Sequence, residues 1–258
     1  MKCVILAGGR GSRISEETFD KPKPLIKICG KPILLHIMEI YEKFKYNEFI
    51  ICLGYKGEKI KEYFTNFELS ENNFRIDLKN NKITILTNYK KKYIITFVET
   101  GSLSNTGERL KLVKNYLKKE KDFFFTYGDG VGNINISELY KYHLKNKKIA
   151  TMTVSNPPGR FGVVKFKKNS SIIESFREKV SYDSWVNSGF FVMNAKIFDI
   201  LEKYDNPILE KEPLETLART NNLVGFKNRK FWQPVDTLRD KELIEKIYTE
   251  FGSWFNVK

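Results

Sequence analysis

Residues 3–24 read CVILAGGRGSRISEETFDKPKP. The opening CVILA is a continuous apolar run that stops at glycines, the pattern of a central strand running out into a loop. The residues after it suit no helix or strand interior, because glycine costs backbone entropy and proline removes a donor. Gly8, Gly9 and Gly11 instead allow backbone amides to approach a ligand with no Cβ in the way. Arg13, and Lys23 between Pro22 and Pro24, add cations to the same stretch. The chemistry that wants amides and cations together is a phosphate chain. Two familiar phosphate motifs fail here. Counted from Gly9, the last position of a dinucleotide fingerprint is Ile14, and no Gly-Lys is followed by Ser or Thr as a Walker loop requires.

Working outward, Pro32 opens a helix with Ile33, Ile37, Ile40, Tyr41 and Phe44 at helical spacing. EFIICLGY (48–55) reads as a second strand and GEKIKEYF (57–64) as a second helix. A polar, hairpin-like stretch runs to Asn88. Then come a strand at 93–100, an amphipathic helix at 107–119 and a bulky strand, DFFFTYGDG, at 122–130. This alternation predicts an α/β fold, a doubly wound, mostly parallel (mixed) sheet of Rossmann-like type, with ligand loops gathered at the strands' carboxyl ends. Both LAGG and YGDG fall at such ends. Beyond Ser137 the pattern predicts a helix, strands near 149–154, 161–167, 171–177 and 186–193, and helices near 195–203, 213–220 and from Thr237. No linker or repeat interrupts it, so 1–258 is read as one domain, with a nucleotide-binding half (1–150) and a strand-rich half (151–258) that supplies the second substrate's pocket.

The composition excludes several classes. No apolar run approaches the roughly 18 residues of a membrane span, and the opening residues lack the pattern of a secretory signal, so a cytoplasmic protein is expected. Cys3, Cys29 and Cys52 form no CxxC pair and are expected as small buried thiols in a reducing compartment. With 2 histidines a His/Cys zinc site is not expected. The formal charge of +14 invites a nucleic-acid reading, but the lysines are scattered along solvated edges and no aromatic-studded binding module accompanies them. Such a field still draws in anionic small molecules. The aromatic tail FGSWF (251–255) is open to two readings, packing on a neighbouring subunit or on its own core.

LAGGRGSR (6–13), KPKPL (21–25), TGSLSNTGERL (100–110), FTYGDG (125–130), NPPGRFG (156–162), Glu178-Lys179, NSGFF (187–191) and WQPVDTLRD (232–240), in this order and spacing, resemble the glucose-1-phosphate cytidylyltransferases of the sugar-phosphate nucleotidyltransferase superfamily. The resemblance covers nearly the entire chain. It implies that CTP and a sugar 1-phosphate give a CDP-sugar and pyrophosphate, with no covalent enzyme intermediate. In it Leu6, Ala7, Gly8, Gly9, Gly11 and Ser12 cradle the nucleotide, Arg13 holds the β- and γ-phosphates, and Lys23 sits on phosphate oxygens during transfer. Ser104, Thr106 and Arg109 line the cytidine side and Gly128 lies beside the ribose. Glu178, Lys179, Asn187 and Gly189 meet the sugar phosphate.

Asp129 and Asp236 would grip one Mg²⁺ whose other ligands are phosphate oxygens and water. The catalytic expectation therefore rests on Arg13, Lys23 and Asp129. Each has a plainer reading: Lys23 as a surface lysine, Asp129 as a turn residue, Asp236 as the N-cap of the last helix. The resemblance also implies a homo-oligomer. Three departures touch recognition: Glu108 where the family has glycine, Val180 where it has proline after the Glu-Lys pair, and Ser188 where it has glycine. Glucose 1-phosphate is thus the default acceptor, with another phosphorylated sugar or a polyol left open, and a nucleotide-sugar-dependent glycosyltransferase is the rival class.

Overall fold

The computed structural model describes residues 1–156, 163–168, 170–177 and 185–257. A seven-stranded sheet organises them. Its strands are β1 (Cys3–Leu6), β2 (Glu48–Leu53), β3 (Ile94–Glu99), β4 (Asp122–Tyr127), β5 (Ala150–Ser155), β6 (Val186–Asn194) and β7 (Leu223–Asn228). The spatial order is β7-β5-β6-β4-β1-β2-β3. β1 pairs in parallel with β2 and β4, β2 with β3, and β5 with β7; β6 runs antiparallel between β4 and β5. The sheet is therefore mixed but mostly parallel, and the order reverses beside β1, where a doubly wound sheet opens its crevice. The division near residue 150 falls inside this one sheet, with β1 to β4 from the first half and β5 to β7 from the second.

The continuous apolar strands are explained by cover on both faces. Side chains alternate along a strand, so Cys3, Ile5, Phe49, Ile51, Phe124 and Phe190 enter one core with helices α1 (Ile33–Glu42), α2 (Gly57–Thr65), α4 (Ile136–Asn146) and α7 (Leu238–Phe251). Val4, Leu6, Ile50, Phe123, Phe125 and Phe191 enter the other, with α3 (Thr106–Leu112), α5 (Ile197–Leu201) and α6 (Glu212–Arg219). The polar stretch before β3 is a hairpin, Phe74–Asp77 paired with Lys82–Ile85, and a second hairpin joins Val163–Phe166 to Ile173–Arg177.

Some expectations are corrected. The helix predicted at 107–119 stops at Leu112 and continues as a 3₁₀ turn over Lys114–Leu117. The strand predicted through Gly130 ends at Tyr127, and Gly130–Gly132 pairs instead with Trp232–Pro234. β7 was not predicted, since Leu223–Asn228 carries a central glycine and a polar end. Cys29 is exposed in a turn with φ 47°, whereas Cys3 and Cys52 are buried. Burial pushes the Cys3 thiol far up and the Cys52 thiol up to about 12. The tail packs on its own core: Trp254, 3% exposed, lies against His36, Tyr248 and Phe231. Among the described residues no helix is long and apolar enough to cross a membrane.

His36 is fully buried under that tail, and its Nε2 donates to the Ile28 carbonyl at 3.0 Å. Burial lowers its pKa to about 4, below the ordinary value near 6.5. The unfolded chain therefore binds a proton that the folded chain refuses between these values, and stability falls as pH drops through that window, by at most about 1.4 kcal/mol per pH unit. Urea unfolding at pH 4.5 to 7 should show a shallower loss in His36→Gln than in the unmodified protein; equal slopes would assign the acid sensitivity to other groups.

Candidate active site

The crevice is built from the turn after β1. Ala7 still hydrogen-bonds to β2 through the Cys52 carbonyl, 3.0 Å away, but the chain then leaves the sheet. The Gly8 carbonyl accepts from the Tyr55 amide at 3.1 Å and from Arg109 Nη2 at 3.1 Å. A Cβ on Gly8 would lie 2.1 Å from Arg109 Nη1, so a buried guanidinium, and not the turn alone, requires glycine at this position. After Gly11 a 3₁₀ turn spans Ser12–Ile14. It buries Ile14 in the core and leaves Ser12 and Arg13 facing out.

Pro22 and Pro24 fix the direction of the chain around Lys23, as a 3₁₀ turn from Lys23 to Leu25. Lys23 is not a surface lysine. It is 8% exposed, and its Nζ donates to Asp129 Oδ2 and Asp236 Oδ1, each at 2.8 Å. Arg13 Nη1, on a largely exposed side chain, donates to Asp236 Oδ2, also at 2.8 Å.

The ribbon explains why two aspartates distant in sequence meet. Antiparallel pairing of Gly130 with Pro234 sets the residues before one strand opposite those after the other, and the Val235 amide donates to the Asp129 carbonyl at 2.8 Å. The N-cap expectation for Asp236 is corrected. Thr237 caps α7 in a capping box with Asp240, which frees the Asp236 carboxylate for the cations. Asp129 is likewise more than a turn residue.

A cleft of about 600 Å³ opens over this cluster. Leu6, Ala7, Gly8, Gly9, Gly11, Ser12, Arg13, Lys23, Ser104, Thr106, Arg109, Gly128 and Asp129 all line it. Arg109 forms its base. The guanidinium is 5% exposed and donates to the Leu53 and Gly8 carbonyls and to Thr100 Oγ1 at 2.7 to 3.1 Å. No carboxylate pairs with it among the described residues, and burial lowers its pKa. A buried cation held only by neutral oxygens retains attraction for an anionic or strongly polar ligand above it.

Asp236, Asn187 and Gly189 do not line the cleft. Asp236 meets it through Lys23 and Arg13, and Asn187 through Tyr127, whose hydroxyl accepts from Asn187 Nδ2 at 3.3 Å. Glu178, Lys179 and Val180 lie outside the described residues. Two of the departures are without direct consequence for the cleft. Glu108 pairs with Lys111 at 2.5 Å and is absent from the lining. Ser188, 2% exposed, donates to Ser155 Oγ at 2.7 Å within the sheet.

Sequence reasoning missed Arg10, Asn105, Tyr127 and Glu210, which also line the cleft. Tyr127 stood inside FTYGDG and could have been named. Glu210 stands in LEKEPL, with no spacing that marks it.

The model of the nucleotidyl transferase family matches residues 2–246. Over 249 residues, 96% of either chain, the protein is 44% identical to the glucose-1-phosphate cytidylyltransferase of Salmonella typhimurium strain LT2. Over 250 residues, 97% of either chain, it is 42% identical to the probable glucose-1-phosphate cytidylyltransferase of Bacillus subtilis strain 168. Among solved structures, a putative glucose-1-phosphate thymidylyltransferase from Bacillus anthracis superposes with a TM-score of 0.71 at 17% identity, each chain covered completely. A UDP-glucose pyrophosphorylase does so at 0.68 and 16%, covering 96% of this chain and 98% of the other. These two support the fold alone. The chain belongs to the nucleotidyl transferase family and, within it, to the glucose-1-phosphate cytidylyltransferases. It is an enzyme of the nucleotidyltransferase class.

Gly8→Ala tests the base of the cleft. Its Cβ must displace the Arg109 guanidinium or the loop, at a cost of about 1–3 kcal/mol. Thermal unfolding should show that loss; an unchanged midpoint would mean that the guanidinium yields freely.

Proposed function

We propose that the protein transfers the cytidylyl group of CTP to glucose 1-phosphate, giving CDP-glucose and pyrophosphate, with the nucleotide in the cleft over Arg109 and its triphosphate along the turn after β1. The observation that carries this reading is the convergence of Lys23 on Asp129 and Asp236, with Arg13 on the same carboxylate. The same-length relatives named for this reaction support the choice of base and acceptor.

The sugar phosphate oxygen attacks the α-phosphorus in line with the departing pyrophosphate, so the protein's work is positioning and charge neutralisation. The amides from Gly8 to Ser12 approach the phosphate chain. Arg13 takes β- and γ-phosphate oxygens and stabilises the leaving group by charge-assisted hydrogen bonds. Lys23, with its direction set by the flanking prolines, meets the transferring phosphate as a point charge. An incoming triphosphate competes with Asp129 and Asp236 for both cations, so the four charges form a neutral set that exchanges carboxylate for phosphate.

The donor set fits magnesium: two carboxylates reach one point, with each accepting from the same ammonium at 2.8 Å, and phosphate oxygens complete such a shell. Asp129 and Asp236 would hold the ion, which when bound neutralises phosphate charge. Ser104, Thr106, Arg109 and Gly128 take the cytidine side, and Asn187 and Gly189, with Glu178 and Lys179, the sugar phosphate. The division of labour between residues 1–150 and 151–258, a homo-oligomeric assembly and a cytoplasmic setting belong to the same reading.

With CTP, Mg²⁺ and glucose 1-phosphate, the protein should release pyrophosphate faster than with other nucleoside triphosphates. Lys23→Ala should lower kcat by about a hundredfold or more while thermal unfolding stays cooperative. Ordinary turnover in that variant would defeat the assignment. Activity only with a finished nucleotide sugar would favour a glycosyltransferase.

A further inference from the structure

Glu210 precedes α6, outside every motif that carries the family resemblance, yet it is exposed on the wall of the cleft. Thr106 donates its hydroxyl hydrogen to Oε2 and Tyr127 donates its own to Oε1. The next bond in each chain fixes these directions. Thr106 Oγ1 accepts the Leu209 amide at 2.9 Å, so its hydrogen is left for Glu210. The Tyr127 oxygen accepts from Asn187 Nδ2, and Asn187 Oδ1 in turn accepts the Gly189 amide at 2.8 Å. Burial, and then the Glu210 carboxylate, raise the Tyr127 phenol far above its usual range, so it keeps its proton.

Gly189 is shaped to this arrangement. Its φ is +77°, and a Cβ there would lie 2.6 Å from the Tyr127 ring. Two donor chains, one from α3 and one from β6, thus end on one carboxylate. Among the described residues the other acidic side chain in the cleft lining, Asp129, is paired with Lys23. Glu210 bonds only to neutral hydroxyls among the described residues, and a carboxylate with about four lone-pair positions has acceptor capacity left on the open side. An anion with no cationic partner among the described residues, in a cleft otherwise rich in cations, accepts hydroxyl hydrogens and repels further negative charge.

We propose that Glu210 determines acceptor specificity: it takes a hydrogen bond from a hydroxyl of the neutral sugar ring and disfavours sugar phosphates that carry an additional anionic group. Glu210 stands where the two sides of the cleft meet, bonded to Thr106 of the cytidine side and, through Tyr127, to Asn187 of the acceptor side, and its open lone pairs are assigned to the acceptor. This inference rests on the cytidylyltransferase reading. It is tested by steady-state pyrophosphate release with CTP, Mg²⁺ and either glucose 1-phosphate or glucuronic acid 1-phosphate, together with calorimetric titration of CTP.

Glu210→Ala should raise KM for glucose 1-phosphate about tenfold or more, as expected for a lost hydrogen bond to a charged group, and by a larger factor than it weakens CTP binding, which it touches only through Thr106. Glu210→Gln, which keeps an acceptor for Thr106 or Tyr127 but loses the charge, should raise KM less and narrow the preference for glucose 1-phosphate over the uronic acid by about tenfold. Unchanged KM and preference in both variants, or a loss confined to CTP binding, would overturn the proposal. Absence of turnover with either sugar phosphate in the unmodified protein would instead remove the reading beneath it, and the proposal with it.

Discussion

One buried ammonium organises the site. Lys23 can neutralise Asp129 and Asp236 together only because the Gly130–Gly132 and Trp232–Pro234 ribbon sets them side by side, and only because Pro22 and Pro24 hold the lysine beneath them. A lysine with this little exposure cannot be left unpaired without a large desolvation cost, so the ion pairs and the chain path enforce each other. Arg13 closes the set from the solvent side. The result is a charge-balanced cluster at the crevice where the sheet reverses order.

The sheet's order brings this cluster together. β1 and β4 are neighbours, so the turn after β1 and the turn after β4 meet, and Gly128 packs on β1 where a Cβ would lie 2.5 Å from the Leu6 carbonyl. The second half of the chain then contributes twice. β6, antiparallel to β4, delivers Asn187 and Gly189 to Tyr127; the segment after α5 delivers Glu210 to both Tyr127 and Thr106. The charged centre thus sits on turns at strand ends, whereas the wall draws on both a strand, β6, and the segment before α6.

Much of this was legible in the residues. Both-face burial shows as unbroken runs, so CVIL, FIICL and DFFFTY announced central strands, and glycine clusters marked where they end. Lys23 could be named from its flanking prolines and Asp129 from its place between two glycines at a strand's end, whereas Asp236 is named as its partner within WQPVDTLRD. The parts that were not legible depend on pairing between distant segments. Nothing local in LVGFKN says that it will complete the sheet beside β5. In the sequence the cap of α7 reads as Asp236, although Thr237 with Asp240 three residues on is the capping-box pattern that the structure shows. Glu210 is an ordinary surface glutamate until the fold brings Tyr127 and Thr106 to it.

The exchange of carboxylate for phosphate at Lys23 and Arg13 is the centre of the account, and a crystal structure with CTP and magnesium tests it most directly. The account predicts triphosphate oxygens within hydrogen-bonding distance of Lys23 Nζ and the Arg13 guanidinium, and the metal on Asp129 and Asp236. Nucleotide bound away from both cations, with Lys23 still shared between the two aspartates, would contradict it.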